Sequence, residues 1–200
     1  EEVEELKDFK PLEELKFYDN KLITSSLDDE NIDFLLKNQL KKLWNSVLNG
    51  EIEVDEILNE TGGDNFRLIK DMFIKEYQEV LKIAPPDDYV FKHSLLLMQK
   101  LVTYRMKQEK LYGNWSGTGA GKTLASILCG RHIGLNNTII ICNNSTIDGW
   151  VNSIHEYFDN SYVYTKTKLN EDDVEPSKYN IVHKYDINLE EDRFNYIVLN

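Results

Sequence analysis

The run Ser116-Gly117-Thr118-Gly119-Ala120-Gly121-Lys122-Thr123 constrains this chain more than any other stretch. Glycines at alternate positions, followed by Lys-Thr, make a bend whose main chain can approach an anion closely. Without a Cβ, Gly117, Gly119 and Gly121 are free to take positive φ. Successive N–H groups then turn inward around a phosphate. A helix starting near Lys122 adds unpaired N–H groups and the positive end of its dipole. In such a bend Lys122 reaches the β/γ-phosphates of a nucleotide and the Thr123 hydroxyl holds Mg²⁺. The generic pattern G-x-x-x-x-G-K-[ST] is met at every position but the first, where Ser116 stands for glycine.

A phosphate loop of this kind belongs between a strand and a helix, and the flanking sequence reads that way. Leu95 to Leu111 has helical periodicity, and Tyr112 to Trp115 is a short strand leading into the loop. Lys122 to Ile133 is a helix stopped by Gly134. Thr138 to Cys142 is a β-branched run suited to a strand buried on both faces. Ile147 to Phe158 is a helix with Ile147, Val151, Ile154 and Phe158 on one side. Tyr162 to Thr165, Asn180 to His183 and Tyr196 to Leu199 are further strands, with Glu171-Asp172-Asp173 and Glu190-Glu191-Asp192 as exposed loops. This alternation implies an α/β fold, a parallel sheet covered by helices.

The first part of the chain differs. Ile32, Leu35, Leu36, Leu40, Leu43, Trp44, Val47 and Leu48 recur at helical spacing before Gly50. Val54 to Leu58 is a short helix ended by Gly62-Gly63. A longer helix is capped at Asp64 or Asn65, with Ile69, Met72, Phe73, Val80 and Leu81 on its apolar side. Pro85-Pro86 ends it and marks a boundary. Residues 1–85 are thus an acidic helical accessory region, and residues 86–200 carry the phosphate loop. Glu1 to Glu30 has only weak periodicity.

Charge follows the same division. Residues 1–85 hold 21 acidic and 11 basic side chains, and residues 86–200 hold 14 and 12. The acidic surplus of the first region repels nucleic acid and suits a protein partner. No run approaches the ~18 apolar residues of a membrane span, and no signal peptide is legible at the N-terminus. Cys129 and Cys142 read as small core residues in a reducing, cytoplasmic setting. His93, His132, His155 and His183 show no metal-ligand spacing.

Taken with its surroundings, the loop resembles motif I of superfamily 2 helicases and translocases, in the form S/A-x-x-G-x-G-K-T. A second point of likeness is Leu96-Leu97-Met98-Gln99, at about the distance where that family has an adenine-reading glutamine. An amide side chain offers one donor and one acceptor to the adenine edge, and Tyr89 and Phe91 are candidates to stack on the base. The third is Ile139-Ile140-Ile141-Cys142-Asn143-Asn144-Ser145 with Gly149-Trp150, which resembles motif Ia. There the family grips a nucleic-acid phosphate, a role that falls on Asn144, Ser145 and Thr146 here. The family usually has Pro where Asn143 stands. Alternatively, Ser145 or Thr146 caps the following helix. Tyr196 to Asn200 matches the strand leading into motif Ib better than that of motif II.

The resemblance, most like the SWI/SNF- and restriction-translocase branch, covers residues 89–200. It implies part of a RecA-like lobe that binds ATP with Mg²⁺ and works on nucleic acid, DNA rather than RNA. No Asp-Glu follows any strand. A second metal-binding carboxylate and an arginine finger, which hydrolysis needs, would therefore lie elsewhere in a longer protein. Two other readings stand beside this one. The first is another P-loop ATPase of the AAA+ type. The second is a degenerate P-loop scaffold or nucleotide sensor whose helical region binds a partner.

Overall fold

A computed structural model describes residues 29–109, 111–165, 179–181, 187 and 189–200. Most of the weakly periodic N-terminal segment, the Glu171-Asp172-Asp173 loop and His183 lie outside these residues. The chain divides into two compact units, one up to Glu79 and the other from Val80.

The first unit is helical: α1 (Asp29–Leu48), α2 (Val54–Asn59) and all but the last two residues of α3, which runs Asp64–Leu81. Its core is built from Leu36, Leu43 and Trp44 of α1, Ile57 of α2, and Phe66, Ile69 and Phe73 of α3. The Trp44 ring packs on Phe73 with centroids 4.7 Å apart, and its Nε1 donates to the Glu76 carboxylate at 2.6 Å. The carbonyl end of α2 is closed by Lys70, whose ammonium donates to the Leu58 and Glu60 oxygens at 2.6 and 2.9 Å. Gly50 ends the first helical stretch at φ 68°, a conformation that favours glycine. Leu81 does not join the apolar stripe of α3 and is exposed. It lies one residue beyond buried Val80, and a step of about 100° around the helix turns it out of the stripe.

The second unit is α/β. Helices α4 (Leu97–Gln108), α5 (Lys122–Ile133) and α6 (Ile147–Tyr157) accompany strands β1 (Asn137–Ile141), β2 (Ser161–Thr165), β3 (Tyr179–Ile181) and β4 (Phe194–Leu199). The sheet order is β1-β4-β2-β3 and every pairing is parallel. Residues 190–192 form an exposed turn before β4, as the sequence implies. Leu124, Ile127 and Leu128 of α5 meet Ile140, Val163, Tyr196 and Val198 of the sheet in one core. Ile147, Val151 and Ile154 of α6, with Phe158, join it, which is the side expected from their spacing. Each such fully buried side chain contributes about 1.5–3 kcal/mol.

Two expectations about strands are corrected. Tyr112–Trp115 is irregular, not a strand. Gly113 and Asn114 are poor strand formers. The Asn114 carboxamide oxygen accepts from the Ser116 N–H at 3.2 Å and from its hydroxyl at 2.7 Å. This side-chain turn competes with a sheet ladder, and Trp115 is left 94 % exposed. Likewise, β1 is buried on one face only: Ile140 is inside, while Ile139 and Ile141 are 64 % and 81 % exposed. It is an edge strand, and the core formed with α5 and α6 holds Ile140 alone of its three isoleucines.

Helix α5 sets the position of the loop. Gly134, at φ 74°, turns the chain so that β1 runs back along the helix, with Gly130 set against Thr138. The helix N-terminus and the loop before it therefore point toward the carboxyl ends of the strands, where open parallel sheets take their ligands.

The packing gives a first prediction. Leu128→Ala, at a fully buried site, should lower unfolding free energy by about 2–5 kcal/mol. Ile139→Ser on the open face should change it by less than about 0.5 kcal/mol. Urea denaturation measures both, and equal effects would contradict the assignment of β1's buried face.

Candidate functional site

The loop before α5 has the shape of an anion cradle in part. Gly119 and Gly121 take φ of 80° and 75°, in the left-handed region; Gly117, expected to do the same, does not. The Ala120 N–H donates to the Gly117 oxygen at 3.3 Å, closing a turn at the loop's crest. Helix α5 starts at Lys122 with Gly121 as its N-cap, and no side chain occupies the cap. The N–H groups of its first turn lack intrahelical partners, as in any helix, and face outward along the axis.

Lys122 is folded back over the loop. Its ammonium donates to the Ser116 and Gly117 oxygens, both at 2.8 Å. An ammonium held by neutral carbonyls at a half-exposed site is readily transferred to a phosphate, because a charge-assisted bond to an anion is stronger. Thr123 is half-buried at the second position of α5, beside Lys122, while Thr118 is exposed and Ala120 half-buried. Among the described residues, no group of three His, Cys, Asp or Glu side chains could hold a metal ion.

Gln99 lies against this loop. It is 5 % exposed in the first turn of α4. Its Oε1 accepts the Leu96 N–H at 2.9 Å, which holds the side chain in place. Its Nε2 sits where a Cβ on Gly121 would be only 2.5 Å away. Gly121 thus takes a positive φ that favours glycine, and an added Cβ would displace the Gln99 amide.

Beside Gln99 opens a cavity of about 340 Å³, lined by Tyr89, Phe91, His93, Ser94, Leu96, Gln99 and Leu124. This is within the range of small-molecule sites. Phe91 stands edge-on to Tyr157 at 5.0 Å and tilted to His93 at 5.2 Å. The Tyr89 hydroxyl donates to the His93 oxygen at 3.1 Å. Burial, more than the nearby Tyr157, pushes the Tyr89 phenol above its ordinary pKa. Burial also raises Tyr157, reinforced by the adjacent Glu156 carboxylate. Both phenols therefore stay protonated at physiological pH. The sequence pointed to Tyr89, Phe91 and Gln99; it gave no reason to pick His93, Ser94, Leu96 or Leu124. The alternation of Tyr89, Phe91 and His93 was the available signal.

The residues matched to a nucleic-acid contact lie apart from this cavity's lining. Asn144–Thr146 is a single tight turn following β1, and all three residues are exposed. The Thr146 hydroxyl donates to the Asn143 oxygen at 2.9 Å. Neither this side chain nor another caps α6. The cysteines are free: Cys142 is half-buried, and Cys129 is buried, its thiol pushed up to about 11 by desolvation. Comparison of the chain with models of known families, with curated proteins and with solved structures finds no match.

The loop's glycines are not equivalent, which can be tested. Gly121→Ala combines a left-handed backbone with a clash against Gln99, and should cost about 1–2 kcal/mol from the backbone alone. Gly117→Ala meets open space and should cost less than about 0.5 kcal/mol. Equal losses in denaturant unfolding would show that the loop does not hold this conformation. A second check is chemical. At pH 8 iodoacetamide should label Cys142 and spare Cys129, whose thiol stays protonated well above that pH; peptide mass mapping reads the order, and prior labelling of Cys129 would refute its burial.

Proposed function

We propose that this chain binds ATP, as part of a nucleic-acid-dependent ATPase resembling superfamily 2 helicases and translocases. The observation that carries the reading is the contact of Gln99 with Gly121, which joins an aromatic-walled cavity to a phosphate loop. A purine placed in the cavity would stack against Tyr89 or Phe91. The Gln99 Nε2 would donate to a ring nitrogen, and the second lone pair of Oε1 would accept from the exocyclic amine. The triphosphate would then extend toward Gly119, Gly121 and the start of α5. There Lys122 would exchange its loop carbonyls for β/γ oxygens. The backbone from Ser116 to Gly121 and the N–H groups of Lys122 and Thr123 would supply the remaining donors. Mg²⁺ would neutralise the phosphates with Thr123 as its one side-chain ligand from this stretch.

On this reading the second unit is the first part of a RecA-like lobe. Asn144, Ser145 and Thr146 are its contact to a DNA backbone, and the acidic helical unit takes a protein partner in the cytoplasm. Hydrolysis would need a water-orienting carboxylate from outside this stretch. One observation favours a second reading, a phosphate loop kept for sensing or scaffolding: the segment entering the loop is irregular where a motor has a strand.

The experiment is titration of the chain with MgATP, followed by calorimetry. Lys122→Ala should weaken binding by about 10- to 100-fold, the value of a hydrogen bond to a charged group. Its far-ultraviolet circular dichroism should be unchanged. The 200-residue chain itself should bind without turnover. Undiminished affinity in Lys122→Ala would refute the assignment of the phosphate site.

A further inference from the structure

Arg131 lies in the last turn of α5, at the end opposite Lys122, and is a buried cation with a built environment. Its guanidinium sits 3.7 Å from the Phe194 ring centroid, 4.8 Å from that of Phe158 and 5.5 Å from that of Tyr196. It donates to the Ser161 hydroxyl at 2.6 Å and the Asn160 oxygen at 3.3 Å. Its counter-ion is the Asp88 carboxylate, at 2.9 Å. A lone buried charge is costly, so this pair must form together with the fold.

Asp88 immediately precedes the aromatic wall of the cavity. Around it the backbone is strapped to the turn after α6: the Asp159 N–H donates to the Asp88 oxygen at 3.0 Å, and the Val90 N–H to the Tyr157 oxygen at 3.0 Å. Tyr89 and Phe158 form an antiparallel bridge there, their rings 5.6 Å apart. The wall from Tyr89 to Ser94 thus belongs to no helix or named strand. Backbone bonds hold one end of it, and the Asp88 carboxylate ties that end to α5, whose His132 ring nitrogen also bonds the Ala84 oxygen at 2.8 Å.

We propose that Arg131 and Asp88 are positioning residues for the base site: the pair fixes the Tyr89–Phe91 wall at a set distance from the helix that presents the phosphate loop. This rests on the ATP-binding reading above. One rigid helix of 12 residues then gauges both ends of the ligand, phosphates at its N-terminus and base wall through its C-terminus. Weakening the pair loosens contact with the base and spares contact with the phosphates. A purely structural role would weaken both together.

The test compares MgATP with inorganic tripolyphosphate, which has the phosphates and no base, by calorimetry on the wild-type chain and on Asp88→Asn. Wild type should bind ATP at least 10-fold more tightly than tripolyphosphate. Asp88→Asn should lose most of that preference while holding tripolyphosphate within about 2-fold. If Asp88→Asn does not fold, Asp88→Glu keeps the charge and lengthens the tether by one methylene, and should lower the same ratio. Parallel loss of both ligands, or an unchanged ratio in the variant that folds, overturns the positioning role. A wild-type chain that binds tripolyphosphate but shows no preference for ATP overturns it too, and leaves the phosphate site standing. A wild-type chain that binds neither removes the ATP reading and this proposal with it.

Discussion

The void at Gly121 is the constraint on which the candidate site depends. A Cβ there would collide with the Gln99 amide, and the backbone at φ 75° excludes most L-residues independently. Because that space is left empty, α4 can bring a fixed amide against the start of α5. The Leu96 N–H holds the amide oxygen, so the contact is set by a hydrogen bond within the first turn of α4. Everything proposed for the base and the phosphates follows from those two helices holding that separation.

The same economy governs α5 as a whole. Seven of its residues are buried, from Leu124 to Arg131, so the helix is clamped by the sheet on one side and by neighbouring helices elsewhere. A clamped helix keeps its free N-terminal N–H groups aimed in one direction, which is what an anion site requires. At the far end the clamp includes a charge. Stacked rings, a hydroxyl, a carbonyl and the Asp88 carboxylate offset the cost of burying the Arg131 guanidinium. Burial pushes the Tyr196 phenol up to about 12 despite the pull of the adjacent guanidinium, so this ring stays neutral beside Asp88.

Much of the local structure was legible because local rules decide it. Spacing alone located the buried face of α6, and Gly50 and Gly134 marked helix ends through their need for positive φ. The bend before α5 was likewise legible in adjacent residues, with Gly119 and Gly121 at positive φ. What failed were matters of context. Thr138 to Cys142 is β-branched enough for a strand, but periodicity does not say how many layers cover it, and Ile139 and Ile141 lie open at an edge. Tyr112 to Trp115 had the right place for a strand, but Asn114 bonds to Ser116 instead. Gln99 could be picked out as an amide, whereas its burial against Gly121 is a tertiary fact. The Asp88–Arg131 pair, separated by 43 positions, left no sequence signal.

The central claim is that one ligand spans the cavity and the loop together. Heteronuclear NMR of the isotopically labelled chain during MgATP titration tests it most directly. A shared ligand should shift the Gln99 side-chain amide and the backbone amides of Gly119, Gly121, Lys122 and Thr123 along a single binding curve. Movement of the loop amides with the Gln99 resonance unchanged, or no saturable shift in either, would contradict it.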